Sequence, residues 1–173
     1  TQPTTTADIT AKTLSVVGIT ADSRIYDATT VAALTTTSAA LVGVIGADAV
    51  TLVKTSAAGA FATKTIGLAK LVQVSGLTLG GAAASNYAIT QPTTTADITA
   101  RALTVSGAKA ANKAYDTNRT ATLSFGTASL VGVVSPDVVT LVSGAAVGTF
   151  ADANAGLNKA VTITGLTLGG ADS

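Results

Sequence analysis

The eleven-residue phrase TQPTTTADITA occupies Thr1–Ala11 and returns unchanged at Thr90–Ala100. No other feature constrains the fold as strongly, because whatever the phrase helps to build must be built twice. The offset of 89 positions continues without a gap beyond the phrase. Leu14 aligns with Leu103, Val16 with Val105, Gly18 with Gly107, and Tyr26-Asp27 with Tyr115-Asp116. Gly59 aligns with Gly148, Lys70 with Lys159, and GLTLGGA recurs at Gly76–Ala82 and Gly165–Ala171. A period this long exceeds the roughly 20–50 residues of solenoid repeats, so each copy is expected to own a core.

The implied organisation is residues 1–7 as the end of a preceding repeat or linker, 8–89 as one module, 90–96 as a linker, and 97–173 as a second module truncated at its C-terminal end. The second copy stops at Asp172-Ser173, short of its own Asn-Tyr, so the chain reads as a window on a tandem array. Pro3 and Pro92 restrict the backbone, and β-branched Thr favours extended geometry, so the phrase reads as a short, stiff joint.

Residue usage points to strands. All nine acidic residues are Asp and none is Glu, while Thr, Val and 17 Gly are plentiful. Asp favours turns and caps, whereas Glu favours helix interiors. The expected fold is all-β: two similar small sandwiches in tandem, immunoglobulin-like or alternatively β-grasp-like, forming an elongated rod. Large side chains are scarce, with aromatics at 3%, so each core is aliphatic. Cys is absent, which excludes disulfides and thiolate metal sites. With a net charge of +1 and no basic cluster, neither nucleic acid nor an anionic membrane is an expected partner. No apolar run approaches the roughly 18–20 residues that cross a bilayer.

Alternation marks the strands: Asp8–Gly18, Val31–Thr35, Val50–Lys54, Ala60–Ala62, Leu71–Leu79 and Tyr87–Gln91, with equivalents in the second copy. Their expected core is Ile9, Leu14, Val16, Leu34, Leu41, Leu52, Phe61, Val72, Val74, Leu77 and Leu79. Parity slips at Gly76, where Val72 and Val74 give way to Leu77 and Leu79, and again at Gly165. A bulge or bend at each Gly would keep both sets on the buried side.

Among candidate site residues, three Asp pairs recur: Asp8 with Asp97, Asp27 with Asp116, and Asp48 with Asp137. They are the calcium candidates, but Ca²⁺ takes about 6–8 oxygen ligands and no D-x-D-x-D spacing gathers them, so turn capping is the expected role. Tyr26 and Tyr115 are expected as corner residues whose hydroxyls bond backbone, with stacking on sugars the alternative. Lys70 and Lys159 read as solvated cations, with a Lys–Asn cross-link as the alternative. No His, Cys or paired Glu supplies a base or nucleophile, so neither catalysis nor a cofactor is expected.

Tyr26-Asp27-Ala28-Thr29-Thr30, Phe61 to Gly67, Lys70, GLTLGGA and Asn86-Tyr87 together resemble the YDG-type repeat, which occurs in tandem in large Gram-negative surface adhesins related to filamentous haemagglutinin. The resemblance covers nearly the whole chain as two copies. It implies a secreted stalk on the cell surface, with neighbouring repeats as partners and host or surface glycans or proteins engaged through other domains. Weak adhesion by the repeats themselves is the alternative. Ala28 and Thr117 stand where the motif carries Gly, which argues against a positive-φ turn there.

Overall fold

The computed structural model describes residues 2–173, so Thr1 of the expected leading linker lies outside the described residues. The chain divides into two compact units, the first ending at Ala100 and the second spanning Arg101–Ser173. Both are all-β, with strands short enough that Gly- and Asp-rich turns separate nearly every pair. Among the described residues no helix is long and apolar enough to cross a membrane.

Unit 1 runs β1 (Lys12–Val17), β2 (Thr20–Ala21), β3 (Arg24–Ile25), β4 (Val31–Ala32), β5 (Leu34–Thr35), β6 (Ala40–Val42), β7 (Thr51–Val53), β8 (Ala58–Phe61), β9 (Gly67–Ser75), β10 (Thr78–Gly80), β11 (Tyr87–Ile89) and β12 (Thr93–Thr99). Its largest sheet has the order β3-β12-β9-β8-β4, beside a three-stranded sheet β11-β1-β6 and the pairs β10-β7 and β2-β5. Most pairings are antiparallel, but β1 runs parallel to β11 and β12 parallel to β3.

Two apolar clusters hold these sheets. Ala32, Phe61, Val72, Ala96 and Ile98 form one, and Val16, Val74 and Leu77 the other. Of the expected core, Leu14, Val16, Phe61, Val72, Val74 and Leu77 are buried, and Leu34, Leu41 and Leu52 pack at the margin. Ile9 is a correction, because its side chain is fully exposed. Residues 2–11 lie in no strand, so Ile9 has no sheet to pack on.

The segment 90–96 needs the opposite correction. Its residues Thr93 to Ala96 are no connector but the first part of β12, where Ala96 is 6% exposed and Ile98 only 1%. The alternation Thr-Ala-Asp-Ile turns two apolar side chains to one face, and β9 and β3 flank the strand.

Gly76 lies where the chain leaves one sheet for another. β9 ends at Ser75 and β10 pairs with β7 in a different sheet, so the parity slip marks a change of sheet rather than a bulge inside one strand. Gly76 has φ +75, and a Cβ there would lie 2.0 Å from the Ser56 carbonyl oxygen. Gly165 repeats both features, with φ +77 and 2.2 Å to the Ala145 oxygen. Only Gly fits such a close backbone approach.

Unit 2 runs β13 (Thr104–Ser106), β14 (Lys109–Ala110), β15 (Thr120–Ala121), β16 (Leu123–Ser124), β17 (Ser129–Val131), β18 (Thr140–Val142), β19 (Val147–Phe150), β20 (Val161–Thr164) and β21 (Thr167–Gly169). Its sheet β15-β19-β20 matches β4-β8-β9 of unit 1 and stops there. Among the described residues no strand pairs with the outer side of β20, and residues 156–160, the counterpart of the start of β9, are not in a strand.

Candidate functional site

Three constellations use the polar residues that recur. The first is the turn that follows β3. Asp27 accepts hydrogen bonds from the Thr29 N–H and hydroxyl, both at 2.9 Å, and its other oxygen meets Arg24 Nη1 at 2.5 Å. Arg24 also donates to the Thr29 hydroxyl and carbonyl, and its guanidinium stands 5.1 Å from the Phe61 ring centroid. Unit 2 repeats the arrangement with other residues. Lys113 bonds Asp116 at 2.7 Å and both the side-chain and backbone oxygens of Asn118, while standing 5.6 Å from the Phe150 centroid. Hydrogen bonds from the Thr29 N–H and then its hydroxyl, followed by the Arg24 charge, hold the Asp27 carboxyl below the usual carboxylate range. At Asp116 the Lys113 ammonium is the main cause of the same shift. An Asp that bonds the backbone two residues on is a turn-forming device.

This turn corrects the expectation about Ala28 and Thr117. Both sit at φ +64, so the left-handed backbone persists although Gly has been replaced. The Asp side-chain bonds and the cation pinning both ends of the turn over-determine it, which is how a strained backbone is kept.

The second constellation is a corner at Tyr87, a residue to which sequence reading gave no such role. Tyr115 is exposed, and the Tyr26 backbone N–H donates to Thr99 O at 2.9 Å. Tyr87 instead is buried, its hydroxyl donating to Asp48 Oδ2 at 2.6 Å and accepting from Ile45 N at 3.1 Å. The hydrogen bond to the Asp48 carboxylate pushes the Tyr87 pKa up. The one local signal was the apolar alternation of Tyr87 and Ile89, since its partner Asp48 is distant in sequence.

The third is the seat of β12. Gln91 clamps Leu77 with its carboxamide, donating to the carbonyl at 2.8 Å and accepting from the N–H at 3.2 Å. It thereby replaces the backbone partner that Leu77 loses when the chain turns at Gly76. Pro92 precedes the strand, where its missing N–H costs nothing, and its carbonyl accepts from Val74 N. Between Ala96 and Ile98 the ladder with β9 shifts register, leaving Ala69 at φ +47. Asp97 fills that irregularity by accepting the Ala69 N–H at 2.7 Å, while the Asp97 N–H donates to the Ser23 hydroxyl.

Elsewhere, Lys70 donates to the hydroxyls of Thr63 and Thr65, and Lys159 bonds Asp152 and the Asn154 carbonyl, so each cation closes its own loop. Among the described residues, no group of three or more Asp side chains could hold a metal ion, and Asp8, Asp27, Asp48, Asp97, Asp116 and Asp137 are not gathered into one. One cleft of about 530 Å³ lies in unit 2, lined by Lys113, Tyr115, Phe150, Gly156, Lys159 and Val161 among others. These are counterparts of the unit 1 residues that surround β12.

A family model for the YDG domain matches the chain twice, over residues 10–96 and 99–173. No curated protein and no solved structure matches it. The chain belongs to the YDG domain family.

Proposed function

We propose that this pair of YDG domains is a load-bearing spacer from the repetitive stalk of a large secreted adhesin, which projects a distal adhesive domain from the surface of a Gram-negative cell. The tandem all-β architecture supports the reading, and one observation carries it: β1 and β11 pair in parallel, with Lys12 opposite Tyr87 and Leu14 opposite Ile89. The chain enters unit 1 at the start of β1 and leaves past the end of β11, at opposite ends of one ladder. Tension then loads that ladder lengthwise, so its bonds share the force, whereas a hairpin would open one bond at a time. β12 adds a second lock, since it must leave both β9 and β3 before β11 feels the pull. The parallel pairing also favours the β-grasp-like layout over a purely antiparallel immunoglobulin-like sandwich.

Single-molecule extension tests the mechanical part. Unit 1 should yield in one abrupt event that releases on the order of 300 Å of chain. Thr95→Pro, which disrupts the β12 ladder, should lower that force. Smooth extension at low force would rule the spacer out. Protease treatment of intact cells that leaves the repeats untouched would contradict the surface location.

A further inference from the structure

The five-stranded sheet of unit 1 buries one face and leaves the other bare. Alternation turns Ala32, Phe61, Val72, Val74 and Ile98 inward, so their strand neighbours point outward. Register sets Thr93, Gln73, Ala60 and Val31 side by side in one row across β12, β9, β8 and β4. Leu71 opposite Thr95 and Ser75 opposite Ala58 flank that row. All eight residues are exposed, Val31 by 68% and Leu71 by 47%. We propose that this face is a self-recognition surface, which packs face to face on the same surface of a second copy of this chain.

Charge decides the occupant. The four strands carry two charged residues, Lys70 and Asp97, and both are engaged: Lys70 with the hydroxyls of Thr63 and Thr65, Asp97 with the Ala69 N–H. A two-fold contact sets each residue near its own kind, so a charged face would repel its copy whereas a neutral one is self-complementary. The same neutrality offers a phosphate-bearing partner nothing to bind. Unit 2 keeps the neutrality with other side chains. Thr120, Val147, Thr149, Thr162 and Thr164 replace Val31, Ala58, Ala60, Gln73 and Ser75 in the matching strands, so identity changes at all five positions and no charge enters. Core packing does not impose that restriction on outward positions. Four strands about 4.8 Å apart and five residues of about 3.4 Å each outline roughly 300 Å² per copy. Two such faces bury about half of the roughly 1,200 Å² at which stable interfaces begin, so a single pair makes a weak, reversible contact. The inference does not depend on the stalk reading, since it concerns only the composition and register of one sheet face.

Amide NMR spectra of the intact chain over a wide concentration range test it. Shifts at Leu71, Gln73 and Thr95 should move with concentration, with a Kd on the order of 1 mM, while those of the β10-β7 pair stay fixed. Gln73 lies near the centre of the face, so Gln73→Lys and Gln73→Glu should each weaken association by about tenfold or more through like-charge repulsion. An equimolar mixture of the two variants should restore it, because Lys then faces Glu. A role confined to folding would produce no such rescue. The side chain is exposed, so both variants should keep the parent melting curve, which circular dichroism checks. Four results would overturn the proposal: spectra unchanged up to several times that Kd, shifts confined to another surface, association undiminished in either variant, or a mixture that stays monomeric.

Discussion

Units 1 and 2 share their strand-forming sequence position by position, yet among the described residues ten of the eleven buried apolar ones lie in unit 1 and only Ala121 in unit 2. Leu14, Val72, Val74 and Leu77 are buried, while Leu103, Val161, Ile163 and Leu166, their counterparts, are only half-buried. The side chains scarcely differ. What differs is that unit 1 includes residues 85–100 and therefore β11 and β12, which cover both clusters. The last strand of this fold is thus part of its core, and the repeat is closed by the phrase that reads as its connector. A single phrase in two settings makes the same point, because Ile98 anchors a sheet while Ile9, with identical neighbours, packs on nothing.

Repairing unit 2 should have the largest effect. Appending a copy of Ser85–Ala100 after Ser173 should bury its half-covered positions and raise its stability by on the order of 4 kcal/mol, read as a shift in denaturant midpoint. A smaller effect separates the two phrases. Ile98→Ala should cost about 3 kcal/mol through the cavity it leaves, while Ile9→Ala should stay within about 0.5 kcal/mol. Equal costs would mean that β12 is not a core strand.

Much of this was legible in the sequence and some was not, for physical reasons. The period, the all-β class, most of the core and the special role of Gly76 follow from spacing and alternation, which are local. β12 escaped because Thr and Pro favour extended backbone in linkers and strands alike, and its partners β3 and β9 are distant in sequence. Its one local clue was Ala96 and Ile98 at alternate positions. Sequence reading gave Tyr87 no corner role because it meets Asp48 only through the fold, whereas Tyr26 has its Asp adjacent.

The Tyr87 corner gives a pH-dependent contrast. Its pKa is raised in the folded state, so the stability it contributes is present below the ordinary tyrosine value near 10 and is lost as pH rises through the folded value. Melting curves from pH 8 to about 11 should show an alkaline loss in unit 1 that Tyr87→Phe reduces. Unit 2 has no matching Tyr–Asp bond among the described residues and should not respond to that substitution. The smallest expected effect falls on both units alike. Ala28→Gly and Thr117→Gly should each stabilise by about 0.5 kcal/mol, as relief of positive-φ strain outweighs the added freedom of the unfolded chain. Destabilisation in either would mean that the turn is not strained there.

Amide hydrogen exchange on dilute protein decides whether the phrase closes unit 1, because it compares two identical peptides within one molecule. Thr93–Thr99 should exchange slowly, in step with β9, while Thr4–Thr10 should exchange at the rate of an unprotected chain. Equal and rapid exchange in both segments would contradict it, since the phrase would then join modules without closing one.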